Sequence, residues 1–436
     1  MSSLLDKKKN ADDLRKNKQF KEASILYSKL WNSDDGKSDI WIGWGYAFCL
    51  RHLQEYDKAL QICRKVYKMK PDFRYNNDVY AWCIYYKEIS KNDVSEELTF
   101  LKAAEGILKL SKQAKYSPYE VTVYKVLDFY NKKPIFPANE ILKWTAKLDP
   151  LILDDTTFEG KTKDGKKKEL ASRKEKYYML RIKALFENKN YTECIELSKF
   201  ALSNFKKFHY DNDIWFQRHI ANSNFMMGKL DIAVNQLKDI LEKKKEWFIQ
   251  KEIADVYFKK QDYKNSLKYA VASAINFGKI ENKIHLFELL YKILLAIKNP
   301  VLAKKHIEMV CLIRQKNQWN FNDDFSKLLS KLKIDAKNLP QFNTLKSELK
   351  RNWEKLIYSD KIINSGIIKT ILPHGKAGFV LSENNESYYF TISNINFHPK
   401  NLSEGLEVTF YVEDSFDKKR QQKSKIAVNV NLIGGK

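Results

Sequence analysis

The residues whose grouping could do chemistry in this chain are basic ones. Lys166, Lys167 and Lys168 sit in its densest basic run, and Lys369, Lys376 and the triplet Lys418-Lys419-Arg420 lie in its last seventh. Clustered ammonium and guanidinium groups can track a phosphate backbone, which requires positive charge and no bond making. The groups that catalysis needs are scattered. None of the 7 histidines (His52, His209, His219, His285, His306, His374, His398) belongs to a His-Glu-x-x-His motif or a comparable metal-binding pair. Gly160-Lys161-Thr162 resembles the end of a phosphate loop, but Asp155 stands where that loop needs its first glycine, and no strand is predicted ahead of it. There is no Gly-x-Ser-x-Gly elbow. The expectation is a non-enzymatic protein without metal or cofactor.

Composition bounds the rest. A chain of 436 residues with 44% hydrophobic content should form two to four domains with ordinary cores. Its net charge of +24 favours polyanionic partners. Residues 361–436 hold 10 Lys or Arg against 7 Asp or Glu, so a net +21 belongs to the first 360 residues. The 5 cysteines (Cys49, Cys63, Cys83, Cys194, Cys311) are odd in number and never form Cys-x-x-Cys, which argues for a reducing compartment. The start lacks an apolar leader, and the most apolar stretch, Phe287 to Ile297, is interrupted by Lys292 and too short to span a bilayer. A cytoplasmic protein with no membrane partner is expected.

Two kinds of element must position these groups. From Ser365 to Ile433 the pattern is that of short half-buried strands: Ile368, Gly378 to Val380, Tyr388 to Ile392, Leu406 to Val412 and Ile426 to Ile433. Turn-forming runs such as Pro373-His374-Gly375 separate them. Five short strands in about 70 residues predict a closed barrel, because an open sheet of that size leaves its edges bare. Within the third strand, Tyr388 and Phe390 must face the core if Tyr389 faces out. The first 340 residues instead carry amphipathic helical patterns with a recurring small residue. Ala23, Ala59, Cys194, Ala233, Ser266 and Ala303 each stand three places after an aromatic residue, leucine or proline, at intervals of 36, then 39, 33 and 37 within two groups. Such a period predicts stacked helix pairs, the small residue allowing close approach. Residues 72–173 are less regular. Stretches 78–86 and 118–127 still read as helices, while 154–176 reads as a charged loop. Asn343 to Tyr358, with Leu345, Leu349, Trp353 and Leu356 at helical spacing, reads as a capping helix that leads to the barrel.

The helical region resembles the tetratricopeptide repeat. Its best copy runs from Ile40 to Pro71, with Ala47, Leu50, Tyr56, Ala59 and Pro71 at that family's small, apolar, aromatic, small and terminating positions. The terminal region resembles a cold-shock domain of the OB-fold type. Gly366-Ile367-Ile368-Lys369 matches its opening strand, Gly375-Lys376-Ala377-Gly378-Phe379-Val380 its Lys-Gly-Phe-Gly-Phe-Ile signature, and Tyr388-Tyr389-Phe390-Thr391-Ile392 its third strand. Leu402, Glu404, Gly405, Val408 and Phe410 follow the later pattern, and Ala427-Val428-Asn429-Val430 closes it. That resemblance implies base-stacking positions at Thr370, Ile371, Ala377, Phe379, Tyr389, Thr391 and Ile392. Only Phe379 and Tyr389 are aromatic there, and each stacked base is worth roughly 1–3 kcal/mol.

The fold expected is therefore mainly α with a small all-β domain: a tetratricopeptide-like superhelix over 1–340, a capping or linker helix over 341–362 and a five-stranded barrel over 363–436. The function expected is an adaptor that binds single-stranded RNA, in preference to DNA, and a protein partner in the helical groove. The alternative is a protein-interaction scaffold whose barrel no longer binds nucleic acid, as in a component of a bacterial defence or conflict system. Neither reading fixes an oligomeric state.

Overall fold

The computed structural model describes residues 4–90, 96–161, 164–358, 361–417 and 422–433. The chain divides into two compact units, Met1–Lys229 and Leu230–Lys436.

The first unit begins with α1 (Leu4–Lys16), α2 (Phe20–Trp31), α3 (Ile40–His52), α4 (Tyr56–Met69) and α5 (Arg74–Ile84), the last prolonged by a π turn at Tyr85–Ile89. Then come α6 (Glu97–Leu110), α7 (Pro118–Asn131), α8 (Ala138–Thr145), a hairpin of β1 (Phe158–Lys161) and β2 (Lys167–Leu170), α9 (Arg173–Glu187), α10 (Tyr191–Asn204) and α11 (Asn212–Met226). The second unit holds α12 (Leu230–Lys243), α13 (Trp247–Lys259), α14 (Tyr263–Ile275), α15 (Ile284–Ala296), α16 (Pro300–Lys316), α17 (Asp323–Lys331), α18 (Phe342–Tyr358) and five strands.

One turn recurs ahead of α2, α4, α10, α12, α14 and α16. Lys18, Gln54, Lys189, Gly228, Gln261 and Lys298 take left-handed φ values of 60°, 62°, 63°, 80°, 61° and 60°. The next N–H then reaches back to a carbonyl of the preceding helix, as in Gln19 to Leu14, Glu55 to Leu50, Asp262 to Tyr257 and Asn299 to Leu294. This closure satisfies carbonyls a helix end leaves bare and reverses the chain in two residues. It also fixes where the small residue falls. Ala23, Ala59, Cys194, Ala233, Ser266 and Ala303 all have no exposed surface. Two of them bond to the facing helix: Cys194 Sγ donates to Ile182 O at 3.6 Å and Ser266 Oγ to Ala254 O at 2.8 Å.

Residues 72–173 form α5 to α8 and the small hairpin, around a core that includes Phe100, Ile107, Leu127, Ile141 and Trp144. The helices expected at 78–86 and 118–127 are α5 with its π turn and α7. The stretch 154–176 is not simply a loop: β1 and β2 pair antiparallel from Phe158–Leu170 to Lys161–Lys167. A strand does reach Gly160-Lys161, contrary to the sequence expectation. It turns into an antiparallel partner and not into a helix, so a phosphate loop is still not formed.

In the second unit α18 lies against α14 and α16, with Leu345, Leu349 and Trp353 buried. Its end meets the barrel. The Tyr358 ring stacks on Tyr411 with centroids 4.3 Å apart and planes 8° from parallel, and Lys361 Nζ lies 2.5 Å from Glu413 Oε1.

The strands are β3 (Asn364–Ile371), β4 (Ala377–Ser382), β5 (Ser387–Thr391), β6 (Glu407–Asp417) and β7 (Gln422–Leu432). They close in the order β3-β4-β5-β7-β6, which leaves no free edge and is the strand order of an OB-fold. All neighbours are antiparallel except β5 and β7. β6 and β7 run further toward their connection than the sequence pattern indicates. Ile368, Val380, Phe390, Val408, Phe410 and Val430 fill the interior. Gly378 is required by this closure, because a Cβ there would meet Thr370 O at 2.4 Å and the Phe390 ring at 2.8 Å.

Candidate nucleic-acid interface

The register of β4 and β5 sets the outer face of the barrel. Val380 faces inward on β4, and Tyr388 and Phe390 face inward on β5, at 0%, 7% and 0% exposure. Alternation then turns Phe379 and Tyr389 outward, where both are half-buried. They are direct cross-strand partners, and their rings meet at 5.6 Å and 66°. Such a pair fixes the orientation of both rings. Pairing extends the row to Thr370, opposite Phe379 on β3, and to Ile426, opposite Tyr389 on β7. Ile426 is marked by the sequence only as the start of the last strand, not as a neighbour of Tyr389. It reaches Tyr389 only because β5 and β7, far apart in the chain, run side by side to close the barrel.

The other positions implied as platforms are used differently. Ala377 is 2% exposed and offers no face. Ile371 and Ile392 pack against the barrel core. Thr391 caps a short helical turn, its N–H and hydroxyl both bonding to Asn394 Oδ1 at 2.9 and 2.7 Å. The outer face of β4 and β5 therefore presents the rings of Phe379 and Tyr389, flanked by Thr370 and Ile426.

Lys369 on β3 and Lys376, just before β4, are both exposed. The Lys376 N–H bonds to His374 Nδ1 at 3.0 Å, which orders the turn around Gly375. Lys418, Lys419 and Arg420 lie outside the described residues. Beyond β7's outer face, Asn396, Asn429 and Asn431 form an amide cluster in which Asn396 Nδ2 donates to Asn431 Oδ1 at 3.2 Å and Asn431 Nδ2 to Asn429 O at 2.7 Å. Sequence spacing could not place Asn396 beside β7. Near its base the barrel holds Tyr388 through a hydrogen bond from its hydroxyl to Glu386, and that bond, first of all, raises the Tyr388 pKa.

The remaining basic candidates belong to the first unit. Lys166, Lys167 and Lys168 are exposed on the β1–β2 hairpin. Lys167 Nζ lies 3.3 Å from Glu159, and Lys168 Nζ sits 4.9 Å from the centre of the Tyr210 ring.

Among the described residues no group of three or more His, Cys, Asp or Glu could hold a metal ion, and no helix is long and apolar enough to cross a membrane. All five cysteines are buried and unpaired, and burial pushes the Cys311 thiol up to about 11.

The fold is a tetratricopeptide-like helical array followed by an OB-like barrel. Solved structures it is similar to include the TPR2AB domain of yeast Sti1 in its pHSP90 complex, at 12% identity over 66% of this chain and 98% of that one, with a TM-score of 0.28. A tetratricopeptide repeat protein of Parabacteroides merdae matches at 12% identity over 76% and 99%, with a TM-score of 0.29. Pseudomonas aeruginosa pilF matches at 12% over 72% and 99%, with a TM-score of 0.28. At such scores the assignment rests on the chain's own repeated turns and buried small residues. No family model matches the sequence, and no curated protein matches it at a significant level.

Proposed function

We propose that this protein is a non-enzymatic adaptor that binds single-stranded nucleic acid, RNA in preference to DNA, through its barrel and a protein partner through its helical array. In this reading residues 1–340 are the scaffold, 341–362 the capping and linking helix, and 363–436 the strand-binding module. The observation that carries it is the outward pair Phe379 and Tyr389 on a closed barrel, with Lys369 and Lys376 exposed on the same module. Two stacking platforms hold far fewer bases than a full row, so the affinity of the barrel alone is modest and the net charge of +24 supplies the rest.

The test is binding of a labelled single-stranded RNA by the full chain at low and at moderate salt. Binding that weakens as salt rises supports the reading. No binding at low salt overturns it, because the electrostatic contribution is then at its largest.

The second reading, an interaction scaffold with a barrel that has become a docking surface, draws on the burial of Ala377 and the engagement of Thr391 as a cap. An isolated barrel that bound single strands as tightly as an intact cold-shock domain would exclude it.

A further inference from the structure

Two tyrosines in the first unit break the usual relation between ring and backbone. Tyr116 and Tyr210 have φ values of 57° and 56°, and Asp211 follows Tyr210 at 59°. The left-handed region is costly for a bulky side chain and is normally left to glycine or asparagine. Burial of the ring would offset that cost, yet the two residues are 48% and 46% exposed. The repeated turns of the array hold their left-handed residues as Lys, Gln or Gly, without a ring, so the tyrosines are not part of that device.

Both rings stand in cationic surroundings. Arg173 Cζ lies 5.0 Å and Lys115 Nζ 5.3 Å from the centre of Tyr116, and Lys168 Nζ 4.9 Å from that of Tyr210. One short segment joins them: Ala171 N–H reaches Tyr210 Oη at 3.4 Å, and two residues on Arg173 faces Tyr116. Residues 154–176 contain eight basic against six acidic side chains. Of the acids, Glu175 is buried against His209, Asp154 is held by Lys115, Glu159 by Lys167 and Glu169 by Lys207, while Asp155 and Asp164 are exposed. Glu120, beneath this surface, is fully buried and paired with Arg173. Residues 154–176 thus carry a net +2, with Lys168 on the hairpin not among the lysines that hold these acids, and two π-faces lie beside the hairpin lysines.

From this charge and these rings we infer that the surface formed by Tyr116, Tyr210, Arg173 and the β1–β2 hairpin is a second contact for single-stranded nucleic acid, with bases stacked on the tyrosines and phosphates held by Lys166, Lys167 and Lys168. The inference rests on the reading of the chain as a single-strand binder, and it locates part of that binding in the first unit. Aromatic faces interleaved with cations hold any base, so the contact is indifferent to sequence.

The experiment uses the full chain, a labelled oligouridylate of about 30 nucleotides, a length within the reach of several single-strand modules, and the double variant Tyr116→Asn/Tyr210→Asn. Asparagine accepts the left-handed backbone, so thermal stability holds or rises. Affinity falls roughly fivefold or more for each ring. The barrel variant Phe379→Ala/Tyr389→Ala is measured beside it. Unchanged affinity in the asparagine variant, with the barrel variant weakened, overturns this inference and leaves the proposed function standing. No binding by the unaltered chain overturns both. Equal competition by polyglutamate would overturn the assignment to nucleic acid and make the surface a dock for acidic peptides.

Discussion

Phe379 and Tyr389 are direct partners across β4 and β5, with ring centroids 5.6 Å apart, while Tyr388, one residue away, is 7% exposed in the barrel core. Adjacent residues thus have opposite duties. Phe379→Ala and Tyr389→Ala should each weaken single-strand binding by roughly 1–3 kcal/mol with little loss of stability. Tyr388→Ala should cost about 3 kcal/mol of stability, as large-to-small changes in a core do. Binding titrations and thermal melts on the three variants check this. Equal melting temperatures for the Tyr388 and Tyr389 variants would mean the register is off by one residue.

The barrel was legible because its signals agree with one another. Alternation in Tyr388 to Phe390, turn residues at Gly375 and Gly405, and the need to close the edge all point to five strands. Its outer face was less legible. Ala377 has the outward parity of Phe379, but parity does not reveal that neighbouring structure covers it, nor that Thr391 is taken up by Asn394. The β1–β2 hairpin was missed for a different reason. Its strands Phe158–Lys161 and Lys167–Leu170 carry almost no apolar alternation, so only their pairing marks them as strands. In the helical array the buried small residues were visible as a period. The left-handed turns five residues before them were not, since five of the six are Lys or Gln and only Gly228 has the residue type that announces such a turn.

Those left-handed turns carry a measurable strain. Gln54→Gly and Lys298→Gly should each raise stability by about 0.5–1 kcal/mol, since glycine takes φ near 60° without the Cβ penalty. Gly228→Gln should lower it by a similar amount, from φ 80°. Urea unfolding midpoints of the three variants measure the effect. A loss of stability in both glycine variants would show that those side chains make interactions worth more than the strain.

The interior of each helix pair makes the opposite case. Ser266 has no exposed surface and its hydroxyl donates to Ala254 O, so the facing helix is within hydrogen-bond reach. Ser266→Leu should destabilise by about 1–3 kcal/mol through overpacking, and it also loses the hydroxyl's bond to Ala254 O. Ser266→Ala keeps the volume and should cost only about 1 kcal/mol. The ordering of the two variants by denaturant midpoint tests whether close approach is what selects the small residue.

His306 gives the second unit a pH dependence. Its Nδ1–H donates to Leu302 O at 2.8 Å and its Nε2 accepts from Trp353 Nε1 at 2.9 Å, an arrangement open only to the neutral ring. Burial lowers its pKa from 6.5 to about 4. The unfolded chain therefore binds the proton first as pH falls. Stability from this group is present in full above about pH 6.5 and declines progressively toward pH 4, by on the order of 2–3 kcal/mol. His306→Gln should start less stable at pH 7 but lack this part of the slope. Unfolding midpoints at pH 7, 5.5 and 4.5 compare them, and an equal slope in both proteins would assign the pH dependence to other groups.

Lys166, Lys167 and Lys168 are exposed on a hairpin whose strands are only four residues long, so their side chains can be changed without touching a core. Replacing all three by Gln should lower the magnitude of the salt dependence of single-strand binding by about 2 in log–log slope, close to 0.7 for each phosphate no longer neutralised by a lysine. Preference among base sequences should not change, because a lysine on a phosphate carries no base information. Affinities at four salt concentrations, for one uridine-rich and one adenine-rich strand, give both quantities. A slope unaltered by the triple substitution would place the phosphate-binding cations elsewhere, and a changed base preference would show that the hairpin touches bases through more than its lysines.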